Sequence, residues 1–89
     1  MDAEHLAELM EFPVAFTFRV VAAGSPDLRA VCQALAEGAL GRTIEQVAAQ
    51  ASSGGRYQTI RLMATVERPE EIAAVYGALS AVPGLRMLL

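Results

Sequence analysis

The chain has 89 residues, seven basic side chains against ten acidic ones, and a net charge of −3. That is the size of one domain with a single core, and the slightly acidic balance argues against a nucleic-acid backbone as its main partner. Every basic residue is an arginine, and lysine is absent, so chemistry that needs a lysine amine, such as a Schiff base, is excluded.

Residues 1–11 carry Asp2, Glu4, Glu8 and Glu11, with Leu6, Leu9 and Met10 on one side of a short helical stretch. They are read as a short N-terminal arm ahead of a single domain over residues 12–89. No basic stretch leads into an apolar one, so the arm is not a signal peptide. Phe12-Pro13 then starts the domain in an extended conformation, because proline disfavours a helical residue before it.

From Val14 to Val21 the side chains alternate. Phe16, Phe18 and Val20 take one face, and Ala15, Thr17 and Arg19 take the other, the pattern of a half-buried strand. Ala23-Gly24 ends it. Ser25-Pro26-Asp27 reads as a helix start, with Ser25 as cap, Pro26 at the first helical position and Asp27 complementing the dipole. Leu28, Val31, Cys32, Leu35 and Ala39 form the apolar stripe of that helix, and Gly38 or Gly41 stops it.

Ile44 to Ala51 alternates weakly, Val47 and Ala49 against Gln46, Ala48 and Gln50, as an edge strand would. Ser52-Ser53-Gly54-Gly55 is a turn, since paired glycines supply positive φ. Tyr57 to Val66 is a strand with Ile60, Leu62, Ala64 and Val66 toward the core and Thr59, Arg61, Met63 and Thr65 opposite. Pro69-Glu70-Glu71 opens a second helix whose acids suit the first turn, while Arg68 is a poor cap for it. Ile72, Val75, Tyr76 and Leu79 pack inward, repeating Leu28, Val31, Cys32 and Leu35 at a distance of 44 positions. Pro83-Gly84 ends the helix, and Leu85 to Leu89 is the last strand. The longest uncharged run, between Glu71 and Arg86, is too short to span a bilayer.

The order βαββαβ with short connections predicts an α+β, ferredoxin-like domain: a four-stranded antiparallel sheet with two helices on one face. The alternative is a swapped or intertwined dimer of the same elements. In the predicted topology the first and third strands are central neighbours. Thr17, Arg19, Tyr57, Thr59, Arg61 and Met63 then share the uncovered face, with Arg86 added from the last strand. Arginines among threonines can grip an anion through bidentate bonds, and a solvated face or a dimer interface is the plainer reading. Gly24 and Ser25 precede a helix whose first amides can receive a carboxylate or phosphate.

The remaining chemistry is thin. Cys32 lies in an apolar stripe and behaves as a small hydrophobe, and a lone cysteine fits a reducing compartment. His5 has no second ligand at metal spacing. The carboxylates form no dyad, and Gly54-Gly55 lacks the spacing and lysine of a phosphate loop. RNA-recognition modules of this fold stack bases on central aromatics. Here Phe16 and Phe18 fall in the core phase, leaving Tyr57 alone outside.

Several segments together resemble the YbeD-like family of small uncharacterised bacterial proteins. They are Leu9-Met10-Glu11-Phe12-Pro13 leading into Phe16-Thr17-Phe18-Arg19-Val20, then Ser52-Ser53-Gly54-Gly55-Arg56-Tyr57, and the closing Leu85-Arg86-Met87-Leu88-Leu89. The resemblance implies a ferredoxin-like fold similar to ACT regulatory domains, which bind amino acids or other small effectors at dimer interfaces and near the first βα loop, here Ala23 to Asp27. It also implies a regulatory role linked to lipoate metabolism, and it supplies no catalytic residue.

The expectation is a non-enzymatic, cytoplasmic regulatory or partner-binding domain without cofactor or metal and without membrane association. A homodimer, a small anionic metabolite or a protein partner is its expected company, and Arg19, Gly24, Ser25, Tyr57 and Arg61 are its candidate ligand-binding residues. The alternative is a protein–protein interaction module that takes no small ligand.

Overall fold

The computed structural model describes residues 11–89; the predicted arm, apart from Glu11, lies outside them. The elements are β1 (Val14–Ala23), α1 (Leu28–Leu40), β2 (Gln46–Ala51), β3 (Tyr57–Val66), α2 (Pro69–Leu79) and β4 (Leu85–Leu88). They form one four-stranded sheet in the order β2-β3-β1-β4, with every neighbouring pair antiparallel. This is the predicted βαββαβ arrangement.

Alternation along the two central strands builds the core. Phe18, Val20 and Ala22 of β1 and Ile60, Leu62, Ala64 and Val66 of β3 are buried against Cys32 and Ala36 of α1 and Ile72, Val75 and Leu79 of α2. Phe16 is only half-buried and closes one end of this layer. Its ring lies 4.7 Å from that of Phe18 and meets Tyr76 edge-on at 6.3 Å. Burial pushes both the Cys32 thiol and the Tyr76 phenol above their ordinary pKa, because removal from water disfavours the anion.

Four local features differ from the sequence reading. β1 runs on to Ala23, since buried Ala22 still pairs with both Gln58 and Leu85. α1 starts at Leu28 with Asp27 as its N-cap residue, and neither Asp27 nor Ser25 caps it through a side chain. The fully packed line of α1 is Leu28, Cys32, Ala36 and Leu40, spaced by four, with Val31, Leu35 and Ala39 on its half-buried flank. Gly41 supplies the stop, at φ +71° with its N–H on the Glu37 carbonyl at 2.8 Å. Ile44 is buried ahead of β2 rather than within it, and its N–H donates to Glu37 Oε2 at 2.9 Å.

Arg68 makes no side-chain cap for α2, and the residue three positions on braces the chain ahead of the helix instead. Glu71 reaches back and accepts the Glu67 N–H on Oε1 at 2.8 Å, pinning the residue before the N-cap to the first turn of α2. Glu71 is also buried. Arg42, just past α1, meets it with two bonds, Nη1 to Oε2 at 2.7 Å and Nη2 to Oε1 at 2.9 Å, and gives a third to the Thr65 carbonyl at 2.6 Å. Those bonds from Arg42, opposed by burial, hold the Glu71 carboxyl down at about 2. The pair ties the end of α1, the end of β3 and the start of α2 together.

The two sheet edges differ. β4 pairs with β1 through a bulge, Met87 facing Val21 and Leu85 facing Ala22. β2 is regular, and Arg29 of α1 reaches across to donate to its Val47 carbonyl at 3.0 Å.

Candidate functional site: the open face of the sheet

Odd-numbered residues of β1 and β3 point away from the helices. Cross-strand registers place them in rows: Thr17 beside Met63, Arg19 beside Arg61, Val21 beside Thr59, and Ala23 beside Tyr57. From β2, Gln46, Ala48 and Gln50 continue the rows of Met63, Arg61 and Thr59. From β4, Met87 lies beside Val21, and Leu89 exchanges backbone bonds with Arg19 at 2.8 and 2.9 Å. No Asp or Glu belongs to any of these rows.

The predicted site residues fall into two groups. Arg19 and Arg61 stand directly opposite each other at the middle of the face. Arg61 gives one bond to Gln50 Oε1 at 3.3 Å; among the described residues the Arg19 guanidinium has no hydrogen-bond partner. Tyr57, Gly24 and Ser25 lie at the far end of the sheet, four residues along β3 or about 13 Å away at strand rise.

At that end the βα loop is already engaged. The Gly24 N–H donates to the Arg56 carbonyl at 3.0 Å, and the Ser25 N–H to Gln58 Oε1 at 3.1 Å. The amides of both loop residues are therefore satisfied inside the fold. Gly24 has a packing role instead: a Cβ there would come within 2.8 Å of the Gly55 carbonyl oxygen, closer than such atoms can approach. Arg86, the extra residue of the β4 bulge, turns onto this corner and lays its guanidinium 5.4 Å from the Tyr57 ring centroid. That contact is a cation–π interaction.

An apolar border accompanies the arginines. Met87 and Leu89 are 50% and 53% exposed, and half-buried Val21 and Met63 lie between them and β2. The aromatics needed for base stacking are on the other side, Phe18 fully buried and Phe16 packed on Tyr76. No cluster of three His, Cys, Asp or Glu able to hold a metal occurs among the described residues. No helix there is long and apolar enough to cross a membrane.

Sequence reasoning placed the open-face residues on their correct side but missed the Arg42–Glu71 pair. Glu71 read as an ordinary first-turn acid. Its signal was the glutamate at the third helical position behind an unsuitable cap, the spacing of half a capping box.

Fold and site together define a class: a small α+β plait of the ferredoxin type whose second sheet face is left uncovered by the helices and carries arginines. Within that class, residues 7–89 match the family model described as a protein of unknown function, DUF493, and the chain belongs to that family. It is 34% identical to a UPF0250 protein of Pasteurella multocida over 93 residues, the whole of both chains. It is 36% identical to a UPF0250 protein of Shewanella piezotolerans over 86 residues, 92% of each. The YbeD-like resemblance is thereby borne out. The solution structure of protein HP0495 from H. pylori superposes with a TM-score of 0.75 over 90% of this chain and 85% of that one. At 14% identity that likeness speaks for the fold alone.

Proposed function

We propose that this chain is a non-enzymatic, cytoplasmic regulatory domain that binds an anionic metabolite or an anionic group of a protein partner on the open face of its sheet. The observation that carries this reading is the pair Arg19 and Arg61, opposed across the two central strands with no acidic side chain in the surrounding rows. The ionisable groups inside the fold have structural explanations. Glu71 is held by Arg42, Cys32 is buried with its thiol pushed toward the protonated, unreactive form, and Tyr76 belongs to the aromatic cluster. The lone cysteine fits a reducing compartment. The ACT-like resemblance supports an effector role, and carboxylic acids of the lipoate class are anions that a guanidinium can bind.

Amide NMR of the full chain with pooled amino acids, lipoate and octanoate, nucleotides and short RNA tests the reading. Shifts centred on Arg19 and Arg61 support it. Shifts centred on residues 23–27 would move the site to the βα loop. A spectrum unmoved by every pool would count against a small ligand, leaving a protein-borne anion, for which a stoichiometric partner lost on mutating the face is the remaining requirement.

A further inference from the structure

The geometry of the Arg19–Arg61 pair says more than that two positive charges share a face. Arg19 sends both its N–H and its C=O toward Leu89. In an antiparallel sheet both groups of one residue point to the same neighbour, so toward β3 Arg19 makes the narrow, non-hydrogen-bonded kind of pair. Opposed Cβ atoms in such pairs are about 4.5–5.5 Å apart. Two guanidinium stems thus rise side by side from the two central strands.

Like charges directly opposite destabilise a sheet, and among the described residues the one side-chain bond made by either guanidinium is that of Arg61 to Gln50 Oε1. Around them on the face are Thr17, Val21, Thr59, Met63, Ala48, Gln50 and Leu89, none with a charged side chain. The contrast with Arg86, which is turned onto Tyr57, and Arg42, which is locked onto Glu71, isolates the central pair. A threonine or valine at either position would suit the strand better. Folding therefore gives no account of this arrangement, whereas ligand binding does.

We propose that Arg19 and Arg61 form a two-guanidinium clamp for a doubly charged anion, either a phosphate monoester or two carboxylates a short distance apart, bridging β1 and β3. This rests on the reading of the open face as the binding surface and adds the ligand's chemical class. Each guanidinium presents its donors in a planar fork that matches carboxylate or phosphate oxygens two at a time. One dianion can therefore take a fork from each side and cancel their repulsion. Val21, Met63 and the exposed Met87 and Leu89 border the clamp, so the anion's body is expected to be apolar rather than charged.

The test uses the full chain in thermal unfolding at constant ionic strength, with phenyl phosphate, inorganic phosphate and acetate as probes. The wild type should be stabilised most by phenyl phosphate, less by phosphate and least by acetate. Arg19→Gln and Arg61→Gln should each weaken phenyl phosphate at least about tenfold, the loss of one charge-assisted fork, and Arg68→Gln, at the start of α2, should leave it unchanged. A phosphotyrosine peptide run beside phenyl phosphate separates the sources. Tighter peptide binding assigns a protein-borne group, and equal binding a free metabolite. Acetate matching phenyl phosphate, or equal shifts in the two clamp variants and the wild type, would overturn the clamp. Amide NMR distinguishes the failures: another ligand still mapping to this face would leave the open-face reading standing, and phenyl phosphate mapping to residues outside it would remove both.

Discussion

Phe18 and Arg19 are consecutive residues of β1, and their side chains leave the strand on opposite faces of the sheet. Phe18 is fully buried against two helices and the rings of Phe16 and Tyr76. Arg19 is exposed beside a second arginine. The helix-side face is filled by complementary apolar surface, and the one buried charge among the described residues, Glu71, is bonded by Arg42 and the Glu67 N–H. The outer face holds a like-charge pair with no acidic side chain in the surrounding rows of the described residues. The helix-side face obeys the requirements of stability throughout, and the outer face departs from them at its centre.

The contrast can be broken most forcefully from the packed side. Phe18→Ala should cost about 3–5 kcal/mol through lost burial and the cavity left behind, read as a lower urea midpoint. A loss under about 1 kcal/mol would mean that the aromatic layer is not the centre of the core.

Glu71 tests the charged seam between helices and sheet. Glu71→Gln should cost about 2 kcal/mol, in the range for hydrogen bonds to a charged group with allowance for the partial exposure of Arg42. The carboxyl's pKa is depressed in the fold, from the ordinary 4.5 to about 2. Its contribution is therefore complete above pH 4.5 and disappears as the pH falls toward 2. The difference in stability between wild type and Glu71→Gln should narrow across that window and stay flat above it. Constancy of the difference down to pH 2 would show that the ion pair contributes nothing.

The smallest effect has the opposite sign. Arg19→Thr or Arg61→Thr should raise stability in low salt by about 0.2–0.5 kcal/mol, through relief of repulsion and better strand propensity. The gain should shrink in high salt as charges are screened. A clear loss of stability in either variant would make the arginines structural and erase the distinction between the faces.

Much of this was legible in the sequence for a simple reason. Period-two alternation from Phe16 to Val20 and from Ile60 to Val66 fixes which face each residue takes, and a register error would expose the whole core set. The sharing of one face by Arg19 and Arg61 followed from that rule plus the order of strands, while their direct opposition depends on the register that the structure supplies. What could not be read was contact between elements far apart in the chain. Arg42 and Glu71 are 29 positions apart, and neither belongs to a periodic pattern that would point to the other. The Ser25-Pro26-Asp27 segment misled because its residues suit a helix start individually, while the chain spends Pro26 and Asp27 on a turn before α1 begins. Gly24 looked like any βα-loop glycine, and its true constraint, the Gly55 carbonyl, lies on a different hairpin.

The bond from Arg29 to the Val47 carbonyl has a consequence for how the protein behaves in bulk. β2 is six residues long, regular and uncharged, and Val47, Ala49 and Ala51 turn their backbone groups away from β3, the kind of border that recruits further strands. Arg29 occupies one of the outward acceptors and places a positive charge at the growth point, so it works as a chain stopper. Arg29→Ala should leave the unfolding midpoint nearly unchanged while shortening the lag before amyloid-dye fluorescence appears in concentrated, agitated samples. An unaltered lag would show that the border is protected by other means.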